Sequence, residues 1–104
     1  MIFRRDPFRD VIARQLDLFV EDEADLLEEC RAKARSYQRA PREDAEEAYG
    51  DFVDAVETAT EALADMRDRF ARTLGEDGAE AYEDTFNRAV RKRWPELGLE
   101  IENR

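Results

Sequence analysis

One stretch decides the fold, residues 45–70, which read AEEAYGDFVDAVETATEALADMRDRF. Apolar residues recur there in unbroken steps of four and three: Ala45, Tyr49, Phe52, Val56, Ala59, Leu63, Met66 and Phe70. A four-three repeat of this length is typical of a helix that buries one continuous seam, as in a coiled coil. Pro41 before the stretch and Gly75 after it are helix start and stop signals. The sequence therefore predicts a helix over about 41–74.

The residues before this helix carry a broader apolar stripe. Asp6-Pro7 is a helix start signal, because Asp can cap a helix and Pro is tolerated at its first position. The stripe then continues in steps of four and three, with Glu23 as one of its two polar members. It predicts a helix over about 7–39, and a break near Asp22 stays open because the acidic residues there are able to cap a new helix.

A shorter apolar face follows the stop signal. It covers residues 78–94 and is terminated by Pro95, which predicts a third helix about half as long as the other two. In the tail, residues 95–104, apolar side chains occupy every second position: Leu97, Leu99 and Ile101. Alternation of period two predicts an extended strand, against which Ile2 and Phe3 would pack.

Together these elements predict an all-α fold in a single domain, residues 1–104. Only a residue or two around Ala40 join the first two helices, so they should fold back as a long antiparallel hairpin. One short third helix cannot cover two apolar stripes of about 50 Å each. We therefore expect a homodimer in which two hairpins form a four-helix bundle, with a monomeric three-helix bundle as the alternative.

Composition narrows the classes of partner. The chain has 104 residues and a formal net charge of -10, which argues against direct binding of nucleic acid and favours a protein partner with a basic surface. It contains no apolar run of the length that a signal peptide or a membrane span requires. The expectation is a cytoplasmic protein with no membrane association.

The residues available for chemistry are few. The absence of His removes the usual general base and the commonest transition-metal ligand, and the single Cys30 lies on the apolar stripe, where a small buried side chain is expected. Carboxylates remain, in blocks that should give the hairpin an acidic waist. Glu23 occupies a seam position, and Glu23, Glu46 and Asp51 are the candidate ligands for a divalent cation. No catalytic residue and no other cofactor are predicted, and an enzyme is the less favoured class.

Two carboxylate pairs bear on the less favoured possibility, that the chain is an enzyme. Glu43-x-x-Glu46 and Asp51-x-x-Asp54 resemble in part the paired motifs with which all-α nucleotide pyrophosphohydrolases hold magnesium. They depart from those motifs in spacing or residue type, and Asp54 lies opposite the seam. The resemblance implies a divalent-metal-dependent phosphohydrolase as an alternative function, and the sequence is assigned to no family.

A basic cluster ends the third helix. It consists of Arg88, Arg91, Lys92 and Arg93 and is followed by Trp94. Cations suit the negative end of a helix dipole, and the same cluster is a candidate interaction patch. The leading hypothesis is a protein–protein interaction or scaffold module that acts through a dimeric hairpin. A further alternative is an acidic mimic of nucleic acid that binds a basic protein.

Overall fold

The computed structural model describes residues 7–97 and 99–104, and it confirms the predicted all-α class. The four helices are α1 (Arg9–Asp22), α2 (Ala24–Arg39), α3 (Ala45–Ala71) and α4 (Glu76–Arg93). Short 3₁₀ turns occupy Arg42–Asp44, Pro95–Leu97 and Ile101–Asn103, and no described residue belongs to a β-strand. Within the described ranges, no helix combines the length and the apolar character that crossing a bilayer requires.

The helix predicted over 7–39 is divided at Glu23, and the break that the sequence leaves open near Asp22 is therefore present. The backbone of Glu23 leaves the helical conformation (φ -115°, ψ 32°), although its N–H still donates to the Phe19 carbonyl at 2.8 Å. No Pro or Gly lies at the break. The cause is packing, because α1 lies against α4 whereas α2 lies along α3, and each half turns its apolar face toward a different neighbour. Asp6, Ile2 and Phe3 lie outside the described residues.

Small side chains hold α2 against α3. The Cys30 thiol is fully buried and donates to the Ala55 carbonyl at 3.3 Å. Seven residues later in α2, the ring of Tyr37 meets that of Tyr49, with ring centroids 5.1 Å apart, so the two helices run in opposite directions. Burial raises the pKa of the Cys30 thiol above its ordinary value. Cys30 is therefore a small core residue with its thiol held in the neutral form.

An aromatic cluster joins α1, α3 and α4. Its centre is Tyr82 of α4, whose ring is 4.7 Å from that of Phe70, 5.4 Å from that of Phe8 and 5.8 Å from that of Phe86. The Tyr82 hydroxyl donates to Oε1 of Gln15 at 2.7 Å, which satisfies the polar end of a fully buried side chain. Burial of the phenol raises its pKa from 10.0 to about 12.

This shift predicts a loss of stability at high pH. Below pH 10 the phenol of Tyr82 is neutral in both the folded and the unfolded chain. Between pH 10 and about 12 only the unfolded chain ionises, so the free energy of unfolding should fall by up to roughly 3 kcal/mol. Urea denaturation at a series of pH values measures this fall. Tyr82→Phe is the control, since it should lack this component, and an identical pH profile in both proteins would contradict the assignment.

The tail is not the extended strand that its alternation predicts. It forms two 3₁₀ turns, and its three apolar side chains are buried in the core: Leu97, Leu99 and Ile101. Alternation of period two reports which side chains are buried, and it identifies a strand only where a neighbouring strand accepts the backbone hydrogen bonds. No described residue supplies such a strand. The tail instead lies on α3 and α4.

A buried arginine satisfies the backbone of the tail. The Arg67 side chain, in α3, donates from Nη1 to the Ile101 carbonyl at 3.1 Å and from Nη2 to the Arg104 carbonyl at 2.6 Å. It also donates to Oδ1 of Asn87 at 3.0 Å and, from Nε, to Oδ1 of Asp68 at 2.8 Å. Arg67 is 4% exposed. One guanidinium thus connects α3, α4 and the tail.

Candidate interaction surface

The first half of α3 packs on α2 and lacks the cover that the second half has. We call α2 together with residues 45–57 of α3 the arm. Opposite the second half of α3 lies α4, as the contact of Phe70 with Tyr82 shows, and the tail packs beside it. On the arm, Tyr49 is 51% exposed, and Phe52 and Val53 are half-buried. The apolar seam therefore continues beyond the part of the molecule that covers it.

These side chains line a groove of about 300 Å³. We call its apolar members the arm surface: Tyr49, Phe52, Val53, Val56 and Leu97. Leu97 comes from the tail. The arm surface therefore begins next to the part of α3 that the tail covers. The groove has a charged rim of Glu57, Glu100 and Arg104. Its apolar floor with a polar rim is the composition of a protein–protein contact.

Charge is divided along the arm. Cations cluster near the connection between α2 and α3: Arg31, Lys33, Arg35, Arg39 and Arg42. Within the cluster, Arg35 pairs with Glu28 at 2.9 Å, both side chains being about half exposed, which makes this pair a minor contributor to stability. Exposed carboxylates follow along α3: Asp51, Asp54 and Glu57. Four further exposed carboxylates lie at the connection itself: Glu43, Asp44, Glu46 and Glu47. The tip of the arm therefore carries charges of both signs, and its waist is acidic.

The structure does not bring the three predicted metal ligands together. Glu23 is half-buried and lines a groove beside Ala62 and Met66. Glu46 precedes Ala62 in the same helix by sixteen residues, or roughly 24 Å. Glu46 and Asp51 are both exposed. Among the described residues, no group of three or more His, Cys, Asp or Glu side chains is arranged to hold a metal ion.

The residues of the predicted basic patch lie in two different environments, one in the core and the others at the surface. Trp94 is 3% exposed and packs against Phe19, with ring centroids 6.0 Å apart, so it is not accessible to a partner in this structure. Arg91 pairs with Glu102 at 3.2 Å. The remaining members are exposed: Arg88, Lys92 and Arg93. Backbone hydrogen bonding and the Arg91 guanidinium lower the pKa of the Glu102 carboxyl.

Sequence reasoning missed Arg67 altogether. Arg67 belongs to a second stripe of α3 whose members are buried at steps of four, three and four: Thr60, Ala64, Arg67 and Ala71. Small residues on both sides of one arginine indicate a position where a neighbouring segment approaches closely. That signal was present in the sequence. Arg is usually a surface residue, however, so the pattern does not by itself suggest a buried side chain.

No protein-family model, no curated protein and no solved structure matches the chain. The assignment of function therefore depends on the arm surface and on the charges around it.

Proposed function

We propose that the chain is a non-enzymatic interaction or scaffold module that pairs with a second copy of itself through the arm. The observation that carries the proposal is the arm surface, where Tyr49 is 51% exposed and an apolar groove lies open beside α3. A helix laid in that groove would bury the part of the seam that α4 does not reach. Such burial contributes about 25 cal/mol for each Å² of apolar surface removed from water.

The charges of the arm favour a second copy as the occupant. In a pair related by a two-fold axis, two arms that lie antiparallel place the mixed-charge tip of one, with its cations, beside the acidic waist of the other. Arg39 and Arg42 of one copy would then approach carboxylates such as Asp54 and Glu57 of its partner. Parallel arms would place the two acidic waists together, which is unfavourable. The proposed assembly is a four-helix bundle made of two hairpins, each formed by α2 and α3.

Light scattering coupled to size-exclusion chromatography tests the pairing. We expect a mass of about twice the 12.2 kDa of one chain. The double substitution Tyr49→Glu with Val53→Glu should give a monomer with an unchanged helical circular dichroism spectrum, because it places two charges in the proposed interface. Leu18→Glu is the matched control, since Leu18 is 54% exposed on α1, outside the arm. A monomeric native chain, or a control that dissociates equally, would contradict the proposal.

No arrangement of the described residues favours the phosphohydrolase or the nucleic-acid mimic over this proposal, and both remain predictions from the sequence. A basic protein partner is compatible with it, since exposed carboxylates such as Glu61 and Asp65 lie outside the arm surface.

A further inference from the structure

A second groove lies between α1 and α4, away from the arm. The two helices run in the same direction, because Phe8 meets Tyr82 and Phe19 meets Trp94 at successive levels. The groove has a volume of about 240 Å³. Ile12 and Leu16 of α1 underlie it. Small residues, Ala13 on α1 and Ala89 on α4, leave the space between the helices open.

The charge of this groove is opposite to that of the chain. Three cations line it, Arg9, Lys92 and Arg93, and no carboxylate of the described residues does. The net charge of the whole chain is -10, and the groove of the arm surface includes two glutamates. An apolar floor lined by three cations is therefore a local property of the contact between α1 and α4.

One of the three cations is held in place. The Arg93 guanidinium donates from Nη2 to Oδ1 of Asp17 at 2.8 Å and lies over the Trp94 ring, 5.5 Å from its centroid. Arg9 and Lys92 form no ion pair with another described residue, and both are exposed. The rim thus combines one oriented guanidinium with two cations that have donors available for a ligand.

We propose that this groove docks an acidic amphipathic helix of a partner protein. The occupant must present apolar side chains to Leu16 and Ala89 and carboxylates to Arg9 and Lys92. A helix does both, with its apolar face in the groove and its charged edge at the rim. The groove is open along one side, so a single alkyl chain would leave much of its surface in water. In an amphipathic helix, the polar face would shield the apolar side chains from water on that open side. The site lies outside the arm and is separate from the proposed pairing of two copies.

The test uses a fluorescein-labelled synthetic peptide of Leu, Ala and Glu with an amphipathic helical pattern, and a second peptide with Lys in place of each Glu. Fluorescence anisotropy against the full-length protein should show binding of the acidic peptide only. Arg9→Glu with Lys92→Glu should weaken it at least about tenfold. Ala13→Trp should also weaken it, because the indole fills the groove without a change of charge. Arg14→Glu with Arg72→Glu is the control, since it changes the net charge equally at exposed positions outside the groove.

Five outcomes would overturn this assignment. The first four are no binding of the acidic peptide, equal binding of the basic peptide, an equal loss of affinity in the control, and a groove substitution that dissociates the dimer. The fourth would make the groove an interface between copies. Binding of dodecanoate in place of the peptide would also overturn it, in favour of an anionic lipid. If the native chain is a monomer, the peptide experiment can still be carried out. A failure of this proposal can therefore be distinguished from a failure of the proposed pairing.

Discussion

Arg67→Ala should lower the free energy of unfolding by about 3 kcal/mol or more. The substitution removes hydrogen bonds to Asn87 and to the Ile101 and Arg104 carbonyls from a site where the arginine is 4% exposed. Hydrogen bonds to a charged group contribute about 1.5–3 kcal/mol each, and a buried carbonyl left without a donor adds a penalty. The total free energy of unfolding of a domain of this size is only about 5–15 kcal/mol. The effect should therefore be visible as a large fall in the denaturation midpoint.

Urea denaturation at one fixed protein concentration measures this loss, because pairing of two copies would make stability depend on concentration. Arg69→Ala is the matched control, since Arg69 is exposed two positions away in the same helix and should change stability by under about 0.5 kcal/mol. Arg67→Lys should give an intermediate loss, because one ammonium cannot reproduce the fork of the guanidinium. If Arg67→Ala and Arg69→Ala differ by under about 1 kcal/mol, Arg67 does not hold the tail as described.

The contrast between α3 and the tail shows which part of this fold is predictable from sequence. Helical periodicity is a local property, so the seam through Ala59 and Leu63 identifies a helix, and both residues are fully buried. The break at Glu23 has no local signal of comparable strength. It depends on α4 lying against α1, and the residues that make this contact near the break, such as Phe19 and Trp94, are more than seventy positions apart in sequence. The conformation of the tail is not predictable for the same reason. The side chain that donates hydrogen bonds to its backbone is Arg67, more than thirty positions earlier.

The candidate surface was predictable to a similar extent. The seam predicts that Tyr49, Phe52 and Val56 are apolar residues of one face, and the structure places them in one groove. The sequence does not say which half of the seam stays uncovered, since that depends on where α4 ends and where Leu97 packs. The candidate metal ligands do not come together because Glu23 lies beside Ala62, which is roughly 24 Å along α3 from Glu46.

Ile101→Ala should lower the free energy of unfolding by about 3 kcal/mol, which is the cost of emptying a well-packed core position. Ile101 is fully buried although it lies three residues from the end of the described chain. Leu18→Ala is the matched control, because Leu18 is 54% exposed and should change stability by under about 0.5 kcal/mol. Equal effects of the two substitutions would mean that the tail is not part of the core.

The Arg67 and Ile101 substitutions should also be coupled. The Ile101 side chain anchors the tail in the core, and the Ile101 carbonyl accepts from Arg67 at 3.1 Å, so each anchor positions the other. Once one anchor is lost the other is partly lost as well, and the double variant should cost about 1–2 kcal/mol less than the sum of the single variants. Additivity would indicate two independent contacts. Coupling also reaches the arm surface, because Leu97 belongs to the same tail, and loss of either anchor should weaken the proposed pairing without a change on the arm itself.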